Sequence, residues 1–238
     1  MKLDILAFGA HPDDVEISVG ATLLKYSDEG KSIGIIDLTE GELGTRGSIE
    51  QRYKESEKAG QMLGLKVRSN LNLGDGTFEL SHENKIKIIE KIRLHQPEII
   101  LANSLSDRHP DHGKGAKLVA DASFLSGLDK IKTEHDGIPQ TKYRPRLLLH
   151  YIQDYYLTPD FILDVSSHGS EKVNLIKCYS SQFYDPNSEE MDTPISGKEF
   201  FDFIEGRMLC YGRELGVKYG EAFNIDRTIG TSDIFTLK

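Results

Sequence analysis

Leu3-Asp4-Ile5-Leu6-Ala7-Phe8-Gly9-Ala10-His11-Pro12-Asp13-Asp14-Val15 is the stretch whose reading decides the fold. Its apolar run, Leu3 to Phe8, ends at Gly9, the pattern of a short buried strand. Val15, Val19, Leu23 and Tyr26 then recur at helical spacing until Gly30 stops them. A strand that passes through a polar turn straight into a helix opens a βαβ unit.

Outward from there the rhythm repeats. Ser32 to Leu38 reads as a second strand and Ile49 to Leu63, closed by Gly64, as a second helix. Val67 to Leu73 is a third strand, followed by the turn Gly74-Asp75-Gly76. Ser81 is an N-cap for a third helix with Ile86, Ile89 and Ile92 on one face. Pro97 breaks the chain before a fourth strand, Glu98 to Asn103, and a fourth helix is expected from about Gly113 to Leu125. The expected fold is therefore α/β: a Rossmann-like, doubly wound, mainly parallel sheet of order 3-2-1-4-5 with helices on both faces. Residues 129–146 are polar and read as loop. Leu147 to Ile152 and Phe161 to Val165 read as strands, Val173 to Ser180 and Phe200 to Leu215 as helices. No linker or repeat divides the chain, so residues 1–238 read as a single domain.

The net charge of -9 argues against a nucleic-acid partner, which needs a basic face. The apolar N-terminal run is too short for a signal-peptide core or a membrane span, so a cytoplasmic protein is expected. Cys178 and Cys210 have no metal-like or redox-like spacing and read as free thiols. No Gly-x-Gly-x-x-Gly follows the first strand, and the two Asp residues there would repel a pyrophosphate, which excludes a dinucleotide-binding reading.

Two clusters carry the chemistry. His11-Pro12-Asp13-Asp14 follows strand one, and Asp107-Arg108-His109-Pro110-Asp111-His112 follows strand four. In a 3-2-1-4-5 sheet these strands are neighbours whose connections diverge, so both clusters meet at the ligand crevice. A catalytic zinc uses three protein ligands and keeps one position open. His11, Asp14 and His112 supply such a His₂Asp set. Asp13 is then spare, as a general base must be, and His109 is spare to donate a proton or hydrogen bond. Asp111 is a candidate to orient the His109 imidazole or raise its pKa. A non-catalytic sugar- or metal-binding module is the competing class. It predicts a site closed by four protein ligands.

His11-Pro12-Asp13-Asp14-Val15-Glu16 and His109-Pro110-Asp111-His112 resemble the two signature motifs of the PIG-L / LmbE-like zinc N-deacetylases. The resemblance implies a Rossmann-like fold, a zinc ion (or Fe²⁺ or another divalent metal) on His11, Asp14 and His112, Asp13 as base, and His109 with its partner Asp111 acting on the intermediate. It implies hydrolysis of an N-acetyl group on an amino-sugar conjugate. Gly41-Glu42-Leu43-Gly44-Thr45-Arg46-Gly47, Ser180-Ser181-Gln182-Phe183-Tyr184 and Tyr219-Gly220-Glu221-Ala222-Phe223 are similar to the branch that deacetylates N-acetylglucosaminyl-malate in bacillithiol biosynthesis. Other members act on chitin fragments or thiol conjugates. Gly20-Ala21-Thr22 departs from the Gly-Gly-Thr of many relatives.

Arg52 matches a family arginine that contacts substrate; Arg46 and Asp75 are further substrate-binding candidates. Tyr151, Tyr155, Tyr156 and Tyr184 are open candidates for a tyrosine near the reacting carbonyl. The expected partners are a small amino-sugar substrate and further copies of the chain, with no nucleic acid and no membrane.

Overall fold

β1 (Ile5–Gly9) sorts its side chains by parity, because successive strand residues point to opposite faces. Ile5 and Ala7 enter one buried cluster with Val15, Leu23, Ala59, Leu175 and Met208; Leu6 and Phe8 enter a second with Ile88, Ile92, Leu118 and Ala122. A strand buried on both faces lies inside a three-layer sandwich. The computed structural model describes residues 1–186 and 188–236 of the chain.

α1 (Asp14–Asp28), β2 (Ile33–Asp37), α2 (Ile49–Met62), β3 (Val67–Asn70), α3 (His82–His95), β4 (Ile99–Ala102) and α4 (Pro110–Ser126) follow in the expected alternation. A two-stranded hairpin, β5 (Glu134–His135) and β6 (Ile138–Pro139), precedes β7 (Leu147–Tyr151). β8 (Phe161–Asp164), α5 (Gly169–Ile176), α6 (Glu199–Leu215) and β9 (Gly220–Asn224) complete the described elements. The main sheet runs β3-β2-β1-β4-β7-β9-β8. Its first five strands are parallel, the 3-2-1-4-5 order with β7 as the fifth. β9 then pairs antiparallel with both β7 and β8.

Three local expectations change. α4 begins at Pro110, three residues before Gly113, because the fixed φ of proline suits the first helical position and His109 serves as N-cap. Residues 129–146 are not all loop: Asp136 (φ 51°) and Gly137 (φ 75°) both adopt the left-handed region, the conformation that closes a tight hairpin. α5 spans Gly169–Ile176, shifted toward the N-terminus from the expected Val173 to Ser180.

α1 is broken inside: Val19 has φ -130° and ψ 24°. A break in a buried helix orphans backbone groups that must find partners. Glu221 of β9 accepts from the Ala21 N–H (3.2 Å), the Thr22 N–H (2.7 Å) and the Thr22 hydroxyl (2.6 Å). Lys172 of α5 donates to the Ser18 carbonyl (2.9 Å) and to Glu221 Oε1 (2.7 Å). The segment that starts at Asp14 is thereby tied to α5 and to the antiparallel end of the sheet. Among the described residues, no helix is long and apolar enough to cross a membrane.

Candidate metal centre

β1 and β4 are parallel neighbours, so the turn after β1 and the start of α4 lie side by side at the carboxyl edge of the sheet. The turn delivers His11, Asp13 and Asp14; α4 delivers His109, Asp111 and His112. The turn is tight. Asp13 has φ 111°, a left-handed value that Asp tolerates better than most residues. A Cβ on Gly9 would lie 2.9 Å from the His11 carbonyl oxygen. The three imidazoles pack together, with ring centroids 4.6 Å (His11–His109), 5.5 Å (His11–His112) and 5.3 Å (His109–His112) apart.

Each of two imidazoles is anchored by one nitrogen and presents the other. His112 Nδ1 is 2.7 Å from Asp107 Oδ2, and its Nε2 is 3.2 Å from Asp14 Oδ1. His11 Nε2 is 3.0 Å from Asp75 Oδ1, and its Nδ1 is 3.6 Å from Asp14 Oδ2. A carboxylate behind a histidine fixes its tautomer and leaves the opposite nitrogen for a metal. Asp14 itself is held by Asn103 Nδ2 (3.0 Å), Gln153 Nε2 (3.0 Å) and the His11 N–H (3.0 Å). Donor atoms of His11, His109 and His112 converge within 4.8 Å, as do those of His11, Asp75 and Asp111. The second group already spends one oxygen of each carboxylate on backbone: Asp75 Oδ2 accepts from the Leu43 N–H (3.0 Å) and Asp111 Oδ2 from the Gly76 N–H (2.6 Å). The nitrogens of His11 and His112 left facing Asp14 therefore fit a divalent cation, with His109 at its side.

Charges follow from this crowding. Burial works against a charged His11, but hydrogen bonds to Asp111, Asp14 and Asp75 hold its pKa well above the usual histidine value. Burial likewise opposes charge on His112, and Asp14 and Asp107 overcome it, raising its pKa to about 9. Asp14, despite burial, is held well below the carboxylate range by His112 and His11. Burial raises Asp13 to about 7 against the pull of the Arg52 guanidinium. These values belong to the metal-free protein.

The remaining candidates separate. Arg52 lines the cavity; its Nη1 donates to the Pro12 carbonyl (3.1 Å) and lies 3.6 Å from Asp13 Oδ2, and its Nη2 donates to Gln182 Oε1. Asp75 lines the cavity too, but both its oxygens are committed to His11 and Leu43. Arg46 is absent from the cavity wall: it is buried against Ser188 (2.6 Å) and Glu190 (3.4 Å), where it ties the glycine-rich loop to residues 188–190. Asp111 pulls the His109 pKa upward but is outweighed. Its carboxylate serves the Gly76 N–H, the Lys114 ammonium (2.8 Å) and His11, while burial and the charges of His11 and His112 lower the His109 pKa. The Asp111 N–H donates to His109 Nδ1 (3.3 Å), which leaves the proton of the neutral ring on Nε2. Tyr151 is buried with its hydroxyl on the Phe8 carbonyl (2.7 Å); Tyr155, Tyr156 and Tyr184 are exposed and outside the cavity wall.

The anchoring roles of Asp107, Asn103, Gln153 and Gln182 were missed in the sequence. Asp107 opens the second cluster, and only its spacing of five from His112 hinted at contact.

Fold and site together define a class: a doubly wound α/β protein with a cluster of His and carboxylate side chains able to hold a metal ion at its switch point. Residues 6–123 match the family model PIG-L: GlcNAc-PI de-N-acetylase, and the chain belongs to that family. It is 26% identical to the diacetylchitobiose deacetylase of Thermococcus kodakarensis, over 91% of this chain and 80% of that protein. It is 28% identical to a probable N-acetyl-α-D-glucosaminyl L-malate deacetylase 2 of Bacillus anthracis, over 75% of this chain and 81% of that one. The crystal structure of the conserved protein TT1542 from Thermus thermophilus superposes with a TM-score of 0.86 at 31% identity, covering 98% of each chain.

Proposed function

We propose that the protein is a zinc- or iron-dependent N-deacetylase that releases acetate from an N-acetylglucosaminyl conjugate. The observation that carries this reading is the pair of anchored imidazoles facing Asp14, with Asp13 and His109 beside them on the same cavity wall. A closed structural site would spend a fourth side chain as ligand instead. The names of the diacetylchitobiose and glucosaminyl-malate relatives support an amino-sugar substrate. N-acetylglucosaminyl-L-malate is the conjugate that the sequence motifs nominate.

His11, Asp14 and His112 would hold the metal, which when bound polarises the amide carbonyl and acidifies water. Asp13 takes the proton of the attacking water. Arg52, with Nη1 3.6 Å from Asp13 Oδ2, holds the carboxylate in place for that task. Water oxygen bonds to the amide carbon, the C–N bond breaks, and the sugar nitrogen leaves with a proton. Asp13 passes the proton it took to that nitrogen, and the His109 Nε2–H donates a hydrogen bond to the oxyanion.

Acetate release by metal-loaded protein tests the reading, with N-acetylglucosaminyl-L-malate, N-acetylglucosamine, diacetylchitobiose and an inositol conjugate as substrates. We expect turnover of at least one, abolished by chelation and restored by metal. Folded, metal-loaded protein that releases acetate from none of them would refute it.

A further inference from the structure

The cavity at the metal donors encloses about 270 Å³ and is lined by both polar and apolar side chains. Besides His11, His112 and His109, its lining includes the apolar side chains of Ile17, Ile195, Phe200, Phe203 and Ile204. Phe200, Phe203 and Ile204 stand three and four residues apart on α6, so one stripe of that helix faces the cavity. Ile17 comes from the first turn of α1, one turn beyond Asp13, so apolar surface begins directly beside the reacting groups.

The charges at this cavity point the same way. Among the described lining residues the acids are Asp13, Asp14, Asp75 and Asp154, and the arginines are Arg52 and Arg108. Arg52 is committed to Pro12, Gln182 and Asp13, and Arg108 Nε is 2.8 Å from Asp154 Oδ2. A dicarboxylate aglycone would meet these carboxylates and would have to share Arg108 with Asp154. An apolar group would instead bury itself against the α6 stripe, where removal of apolar surface from water drives binding.

We infer that the substrate carries an apolar substituent, a chain of several carbons or an aromatic ring, that docks against Ile17, Ile195, Phe200, Phe203 and Ile204. This rests on the deacylase reading for its orientation: the substituent extends from the N-acylglucosamine unit, on its acyl or on its aglycone side. This apolar lining sets an uncharged aglycone ahead of the malyl one that the sequence motifs nominate.

Calorimetric titration of the zinc-loaded protein separates the two sides. One series lengthens the acyl group of glucosamine from acetyl through butyryl to hexanoyl. The other varies the aglycone of glucosamine itself among none, malyl, hexyl and phenyl. We expect Kd to fall roughly three- to fourfold per added methylene in one series, the value of burying a CH₂ group. The malyl ligand should bind more weakly than the hexyl and phenyl ones. Phe203, at the cavity rim and 42% exposed, can be changed with little risk to folding. Phe203→Ala should flatten that slope and Phe203→Leu should retain most of it. A flat Kd in both series, or tightest binding of the malyl ligand, would overturn the inference. Absence of acetate release, measured in parallel, would refute the deacetylase reading alone and leave the Kd series to decide this one.

Discussion

The Lys172 ammonium lies 2.7 Å from Glu221 Oε1, and the two side chains are 3% and 2% exposed. The pair sits at the break in α1, where Glu221 receives the Ala21 and Thr22 N–H groups. Burial lowers the Lys172 pKa while Glu221 opposes that shift. Removing one partner of a buried pair leaves the other charge uncompensated, at a cost of about 3–5 kcal/mol. Glu221→Ala should therefore destabilise the protein by about that much in urea unfolding. Glu221→Gln keeps an acceptor for the broken helix and should cost less. A Glu221→Ala protein within about 1 kcal/mol of wild type would show that water replaces the pair.

Asp107 anchors His112 without belonging to the proposed ligand set. Losing such an anchor typically weakens metal binding 10–100-fold. Asp107→Ala should fall in that range in a competition titration against a chromogenic chelator, and Asp75→Ala, behind His11, should behave alike. Unchanged affinity in both would mean that packing alone orients the imidazoles.

Asp13→Asn should keep the metal and lower kcat by about 10²–10⁴, the scale of general-base catalysis. Metal content measured beside kcat decides the matter, since loss of metal would make Asp13 a ligand. His109→Gln should also keep the metal while lowering kcat. Normal turnover there would assign stabilisation of the oxyanion to another group.

Metal uptake should depend on pH with a definite sign. In the metal-free protein His112 titrates at about 9 and His11 is held well above its usual value. At neutral pH both rings carry a proton that a metal must displace. Raising the pH removes this competition, so apparent affinity should climb about tenfold per displaced proton per pH unit toward pH 9 and then level for His112. An affinity that stays flat between pH 7 and 9 would contradict the carboxylate clustering around these rings.

The sequence by itself determined the parallel half of the sheet and the location of the site. Apolar runs such as Leu3 to Phe8 and Ile-rich helix faces are local patterns, and a strand ending at His11-Pro12-Asp13-Asp14 marks a crevice wherever strands one and four adjoin. Tertiary structure alone decided which carboxylate serves which histidine. Asp75 reaches His11 across 64 residues, and Asp111, expected beside His109, turns to Gly76, Lys114 and His11 instead. It also decided β9, whose buried Glu221 breaks the apolar pattern that would have marked a strand. Helix and strand periods record which face of an element is buried. The partner of a buried charge is set by loop paths and by side chains distant in the chain, which no local period encodes.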